Sequence, residues 1–133
     1  MIEVACAVIT NDKGEVLAVQ RSEQMKLPLK WEFAGGKFEH GETAEECLVR
    51  EINEELGVVI YIENNFGSYP YSYPEQDIVL HAFLCKIISG EILLKEHIDL
   101  LWLKPNQLLN LDWAEADLPI VKDYLFSNNT LEF

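Results

Sequence analysis

The chain has 133 residues, 49% of them hydrophobic and 25% charged, which suits one soluble globular domain over 1–133. These proportions exclude a disordered tail, a collagen-like fibre and a solenoid, and no apolar run reaches the length of a membrane span. Ten Lys and Arg against 23 Asp and Glu leave a formal net charge of -13, which repels a DNA or RNA backbone. A small polyanion is compatible with that charge only through a bridging cation or a local basic patch; otherwise the acid serves solubility alone.

Met1-Ile2-Glu3-Val4 has no basic region ahead of an apolar one, so no signal peptide is expected and the chain is assigned to the cytoplasm. Val4 to Thr10 is β-rich, Asn11-Asp12-Lys13-Gly14 is a turn, and Val16 to Gln20 is a second strand, so a hairpin is expected. Ser22 to Lys30 is polar and irregular. Trp31-Glu32-Phe33 reads as a short strand before Gly35-Gly36 and a loop rich in Gly and Glu. The clearest helix follows, then strands over Val58 to Ile62 and Ile78 to Ile87. Ser68 to Pro74, carrying Tyr69, Tyr71 and Tyr73, is expected as a loop. Ser89-Gly90 is a turn, Leu100 to Leu103 a strand, and Pro105 opens a short helical turn. Asp117 to Phe126 is a second helix with Pro119 in its first turn. The class is mixed α+β. Cys6, Cys47 and Cys85 are odd in number and sit among apolar neighbours, so buried thiols are expected. His40, His81 and His97 show no metal-ligand spacing and read as loop or strand residues.

Thr43 and Glu46 form a capping box and Gly57 stands where a helix stops, which bounds a helix over Ala44 to Leu56. On a helical wheel Ala44, Cys47, Leu48, Ile52 and Leu56 share an apolar arc. Glu51 and Glu55 fall inside that arc and Glu54 lies just past its Cys47 edge, so the three carboxylates adjoin. Like charges beside an apolar seam repel and lose solvation. A solvated face explains Glu45, Glu46 and Asn53, which point the other way, but not Glu51 and Glu55. Either divalent cations explain them, since Mg²⁺ takes hard oxygen ligands shared between carboxylates and substrate phosphates, or the helix face is misjudged.

Gly36, five residues, Glu42, seven residues, Arg50-Glu51-Ile52, one residue, Glu54-Glu55, one residue and Gly57-Val58 resemble the complete Nudix box. The lead-in Trp31-Glu32-Phe33-Ala34-Gly35-Gly36-Lys37 is similar to the MutT-like branch, which commonly has Pro where Ala34 stands. Ala34, with Ala116-Asp117-Leu118-Pro119, resembles the bacterial CTP pyrophosphohydrolases of that branch. The resemblance implies an α/β/α sandwich, a mixed sheet flanked by helices, with a loop–helix–loop catalytic motif.

It also implies roles. Glu51, Glu54 and Glu55 ligate Mg²⁺, with Mn²⁺ as the alternative, and the Gly35 carbonyl joins them. Arg50 orients the glutamates, alongside an alternative as a surface pair with Glu46 or Glu54. Glu42 braces the loop or serves as a charge at the helix start. Glu96, from a later loop, is a further ligand or general base, or else a solvated acid. Arg21 contacts phosphate or pairs with Glu23. Phe33, Tyr73, Leu80 and Asp117 line a base pocket, Tyr73 stacking on the base or packing on its own strand. Gln76 stands roughly where the prototype has a basic residue. Asp117 reads the base or caps the last helix.

The expected activity is a Mg²⁺-dependent nucleoside triphosphate pyrophosphohydrolase releasing monophosphate and pyrophosphate from CTP, dCTP and oxidised or 5-substituted pyrimidine nucleotides. The alternatives are 8-oxo-dGTP hydrolysis, hydrolysis of a nucleotide sugar or dinucleoside polyphosphate, and a non-catalytic nucleotide-binding module. The expected partner is the nucleoside triphosphate, with no nucleic acid and no membrane, on a monomer or homodimer.

Overall fold

The computed structural model describes residues 1–131, with side-chain surroundings through Ser127. The last two positions of the expected 1–133 domain lie outside the described residues. At the centre is β1 (Ile2–Ile9), whose side chains alternate between two buried faces. Ala5, Ala7 and Ile9 enter one core, Cys6 and Val8 the other. β1 runs parallel to β6 (Gln76–Ser89), with Ile2 opposite Ile78 and Ile9 opposite Cys85. On its other side it pairs antiparallel with β4 (Gly35–Lys37). β5 (Val59–Tyr73) completes a mixed sheet in the order β4-β1-β6-β5. A second, antiparallel sheet holds β3 (Trp31–Glu32), β2 (Val16–Gln20) and β7 (Asp99–Leu103) in the order β3-β2-β7.

Helix α1 (Ala44–Leu56) lays Cys47, Leu48, Ile52 and Leu56 on the first core. Its boundaries are those the caps imply. Thr43 Oγ1 accepts from the Glu46 N–H, Glu46 Oε1 accepts from the Thr43 N–H, and Gly57 stops the helix at φ 71°. Helix α2 (Leu118–Leu131) places Ile120 and Val121 on the second core, and a 3-10 turn covers Pro105–Asn110.

Three local expectations are corrected. The Asn11–Gly14 turn forms, with Asn11 Oδ1 accepting from the Lys13 and Glu15 N–H groups, but β1 and β2 meet only at Thr10 and Val16. No long hairpin follows, because β4 and β6 occupy both edges of β1. Ser68 to Pro74 is mostly strand: Tyr69, Tyr71 and Tyr73 pair with Leu80, Ile78 and Gln76 at the far end of β5. Their period of two puts the three rings on the second core, and Pro70 is tolerated because β5 is an edge strand. Gly35–Lys37 is a strand rather than loop. A Cβ on Gly35 would collide with the Ala5 carbonyl, so only glycine brings this strand so close to β1. The three thiols are buried and free, as expected, and burial pushes Cys47 up to about 11 and Cys85 up to about 12.

Replacing Thr43 with Ala removes the cap hydrogen bond to Glu46 and should cost about 1 kcal/mol of folding stability. Denaturant melts of the two proteins measure this; equal midpoints would mean the cap adds nothing here.

Candidate active site

The box loop and α1 assemble around Arg50. Its Nε donates to Glu42 Oε2 at 2.6 Å and Nη2 to Glu42 Oε1 at 2.9 Å. Nη1 donates to Glu51 Oε1 at 3.0 Å and Glu54 Oε2 at 3.2 Å, and Nη2 to the Lys37 carbonyl at 3.2 Å. Glu42 also accepts from the Glu39 N–H, so it ties loop to helix. The Arg50 guanidinium holds the Glu42 carboxyl down at about 2, and these carboxylates raise Arg50 in turn. Glu46 instead serves the helix cap. Glu55 is the most buried of the three box glutamates, its side chain 12% exposed, while Glu54 is 57% exposed and sits on the rim. A Cβ on Gly36 would strike the Glu51 carboxylate, so that glycine leaves the space the carboxylate fills.

A cavity of about 600 Å³ borders Gly35 and Gly36 and is lined by Arg21, Phe33, Tyr73, Leu80 and Asp117, the five residues expected at a substrate pocket. Gln76 lines it too. Arg21 does not pair with Glu23: Nη1 donates to Glu32 Oε1 at 2.9 Å and Nε to the Lys26 carbonyl. Tyr73 Oη accepts from the Ala116 N–H at 3.0 Å, and its ring centroid lies 4.6 Å from that of Tyr71. Asp117 does not cap α2 with its side chain. Oδ2 accepts from the Phe33 N–H at 2.9 Å, tying the start of α2 to the link between β3 and β4. Burial, then the nearby Glu32, pushes the Asp117 carboxyl well above the usual carboxylate range.

Comparison with known proteins decides the family. The NUDIX domain family model matches residues 2–124. This chain belongs to the Nudix family. It is 36% identical over 125 residues to the CTP pyrophosphohydrolase of Escherichia coli (strain K12), covering 94% of this chain and 92% of that one. It is 31% identical over 120 residues to the 8-oxo-dGTP diphosphatase of the same organism, covering 90% and 93%. The crystal structure of the MutT protein from Methanosarcina mazei Go1 superposes with a TM-score of 0.84 at 26% identity, covering 96% of this chain and 94% of that one. The chain is thus a Nudix hydrolase with the expected family fold, its mixed sheet joined by a separate three-stranded one. Nudix hydrolases generally use divalent metal ions.

The donor set of this Nudix hydrolase fits such an ion. Burial, then a hydrogen bond with Glu51, then the charges of Glu51, Glu32 and Glu96 push the Glu55 carboxyl up to about 9. Too much negative charge is gathered there for all of it to stay ionised without a counter-charge. Among the described residues no three carboxylate, thiol or imidazole groups close around one point, since Arg50 draws one oxygen each of Glu51 and Glu54 toward itself. Glu51, Glu54, Glu55 and Glu96, with the Gly35 carbonyl, are the groups that the motif resemblance assigns to a cation.

Sequence reasoning missed two residues. His97, read as a loop histidine, has a side chain only 1% exposed; Nε2 lies 2.8 Å from Glu32 Oε2 and Nδ1 lies 3.5 Å from Glu55 Oε2. Glu32, quoted only as part of the lead-in, bridges Arg21 and His97 and borders the cavity. The signal for both was a buried pairing between distant segments, which no local pattern carries. Of the other histidines, His40 is exposed and His81 sits between Ser68 and Glu3 on the sheet.

The raised Glu55 carboxyl sets a pH dependence. Below about 4.5 both folded and unfolded chains hold its proton. Between there and about 9 the unfolded chain releases it while the folded protein keeps it, so stability from this group falls as pH rises. Melting temperatures of cation-free wild type and Glu55→Gln, taken from about pH 5 to about 9, should diverge, with the variant flatter. Parallel curves would contradict the assignment.

Proposed function

We propose that the chain, as a single domain over 1–133, is a Mg²⁺-dependent pyrophosphohydrolase of nucleoside triphosphates, with CTP, dCTP and oxidised or 5-substituted pyrimidine nucleotides as substrates. Mn²⁺ is the alternative cation. The observation that carries this reading is the continuity of the Asp117-walled cavity with Gly35 and Gly36 of β4, beside the carboxylate cluster. A base held against Phe33 and Leu80 would point its phosphates toward Glu51, Glu54 and Glu55.

Arg21 turns from Glu32 to hold the phosphate chain. Tyr73 offers a ring for the base. Arg50 keeps Glu51 and Glu54 in place. Glu51 or Glu96 takes the proton from a water as its oxygen bonds to a phosphorus, the P–O bond to the leaving group breaks, and monophosphate and pyrophosphate depart. The cation, when bound, neutralises phosphate charge and eases deprotonation of the water.

One observation supports 8-oxo-dGTP as a second reading. An ionised Asp117 only accepts, which suits the exocyclic amino group of cytosine. Its carboxyl is raised, however, and a neutral acid both donates and accepts. That pairs with O6 and N7–H of 8-oxoguanine as well as with N3 and the amino group of cytosine. The relatives carry both activities in their names.

Glu54→Gln should lower kcat about 10²-fold, roughly 3 kcal/mol, with the fold retained because Glu54 is on the rim. Pyrophosphate release across a Mg²⁺ titration checks this, and normal turnover at every concentration would remove Glu54 from the site.

Asp117→Asn should change base preference rather than chemistry, narrowing the gap between cytosine and 8-oxoguanine substrates. The measurement is kcat/KM for CTP, dCTP, 5-hydroxy-dCTP, UTP and 8-oxo-dGTP on both proteins. Unchanged ratios would leave Asp117 as a structural tie to Phe33.

A further inference from the structure

The segment before β7 is stitched to both halves of the site. The Lys95 N–H donates to the Glu55 carbonyl at the end of α1, and the Ile98 N–H donates to the Gln20 carbonyl, next to Arg21. His97 lies between these two anchors, so its backbone is fixed to the cluster helix on one side and to the end of β2 on the other. Its ring is enclosed and touches a carboxylate at each nitrogen.

The two contacts differ. Glu32 accepts from Arg21 through Oε1 and from His97 through Oε2, so both of its oxygens are engaged. A carboxylate accepting at 2.8 Å puts the ring proton on Nε2. Nδ1 is the buried side-chain atom without a hydrogen-bond partner among the described residues. It faces Glu55 Oε2. An enclosed ring packed 3.5 Å from a carboxylate oxygen limits how that carboxylate can turn.

We propose that His97 is a positioning residue that couples Glu55, at the deep end of the carboxylate cluster, to the Glu32–Arg21 pair in the cavity wall. When Arg21 leaves Glu32 for a phosphate, Glu32 is held by His97 alone, and the ring transmits that change to Glu55. By linkage, a cation on Glu55 acts back on Arg21 through the same three side chains. The proposal rests on the reading that Glu55 takes a divalent cation, and it assigns to His97 and Glu32 a part in that binding which neither plays as a ligand.

The test measures Mn²⁺ affinity without nucleotide, from the paramagnetic resonance signal of the unbound ion, for wild type, His97→Leu, His97→Gln, Glu32→Gln and the His97→Leu/Glu32→Gln double variant. His97→Leu should weaken Mn²⁺ about tenfold, as loss of a partner behind a ligating group does. His97→Gln, whose amide keeps one donor and one acceptor, should recover most of that. Glu32→Gln should weaken Mn²⁺ several-fold in wild type, partly by removing a nearby charge, and clearly less on the His97→Leu background. Additive effects, or normal affinity in His97→Leu, overturn the coupling. Should His97→Leu fail to fold, His97→Asn, too short to reach both carboxylates, takes its place in the cycle under the same criterion. A wild-type protein that binds no Mn²⁺ overturns the cation reading itself, a result separate from the behaviour of the variants.

Discussion

The Arg50 guanidinium donates to both oxygens of Glu42, to Glu51, to Glu54 and to the Lys37 carbonyl, and these bonds reconcile a conflict within α1. The helix packs its apolar side on the central sheet, yet carries Glu51 and Glu55 at the edge of that side. Without a counter-charge the carboxylates would repel one another and draw toward water. Arg50 supplies one positive charge from the same helix and braces it through Glu42 on the loop ahead. The brace sets Glu51 and Glu54, and leaves Glu55 buried among acidic neighbours, and burial first and those neighbours second raise its carboxyl. The site is therefore held in shape and still electrostatically incomplete, the condition in which a divalent cation adds most.

The sheets place the other participants. Because β1 is covered on both faces and paired on both edges, β2 has to leave it after one bridge and join a different sheet. That separation opens the space between the sheets where the cavity lies, with Arg21 after β2, Glu32 in β3 and Gly35 and Gly36 in β4 along its wall. β1, the ends of β5 and β6, and the segment before α2 complete the lining. The cavity is a consequence of sheet divergence rather than of any one loop.

Asp117 shows how a single position changes meaning with its surroundings. In sequence it precedes Leu118 and Pro119 and is well suited to cap a helix. In the fold its carboxylate turns inward to the Phe33 N–H, and enclosure beside Glu32 raises it. Cavity wall, backbone tie and shifted acid all follow from that one rotation.

The sequence by itself determined α1, its two caps, the adjacency of Glu51, Glu54 and Glu55, the family, and five of the residues that border the cavity. The helix and its cluster depend on contacts three or four residues apart, which helical periodicity makes explicit. The cavity residues were legible only because the motif resemblance extends beyond the box. The tertiary structure alone decided that β1 and β2 part, that the tyrosine segment is strand, that the Asp117 carboxylate turns to Phe33, and that His97 is enclosed between Glu32 and Glu55. These outcomes join residues as much as 84 positions apart, as in the Phe33–Asp117 bond. Which face a side chain turns to, and whether it meets water or a carboxylate there, is settled by how the layers pack.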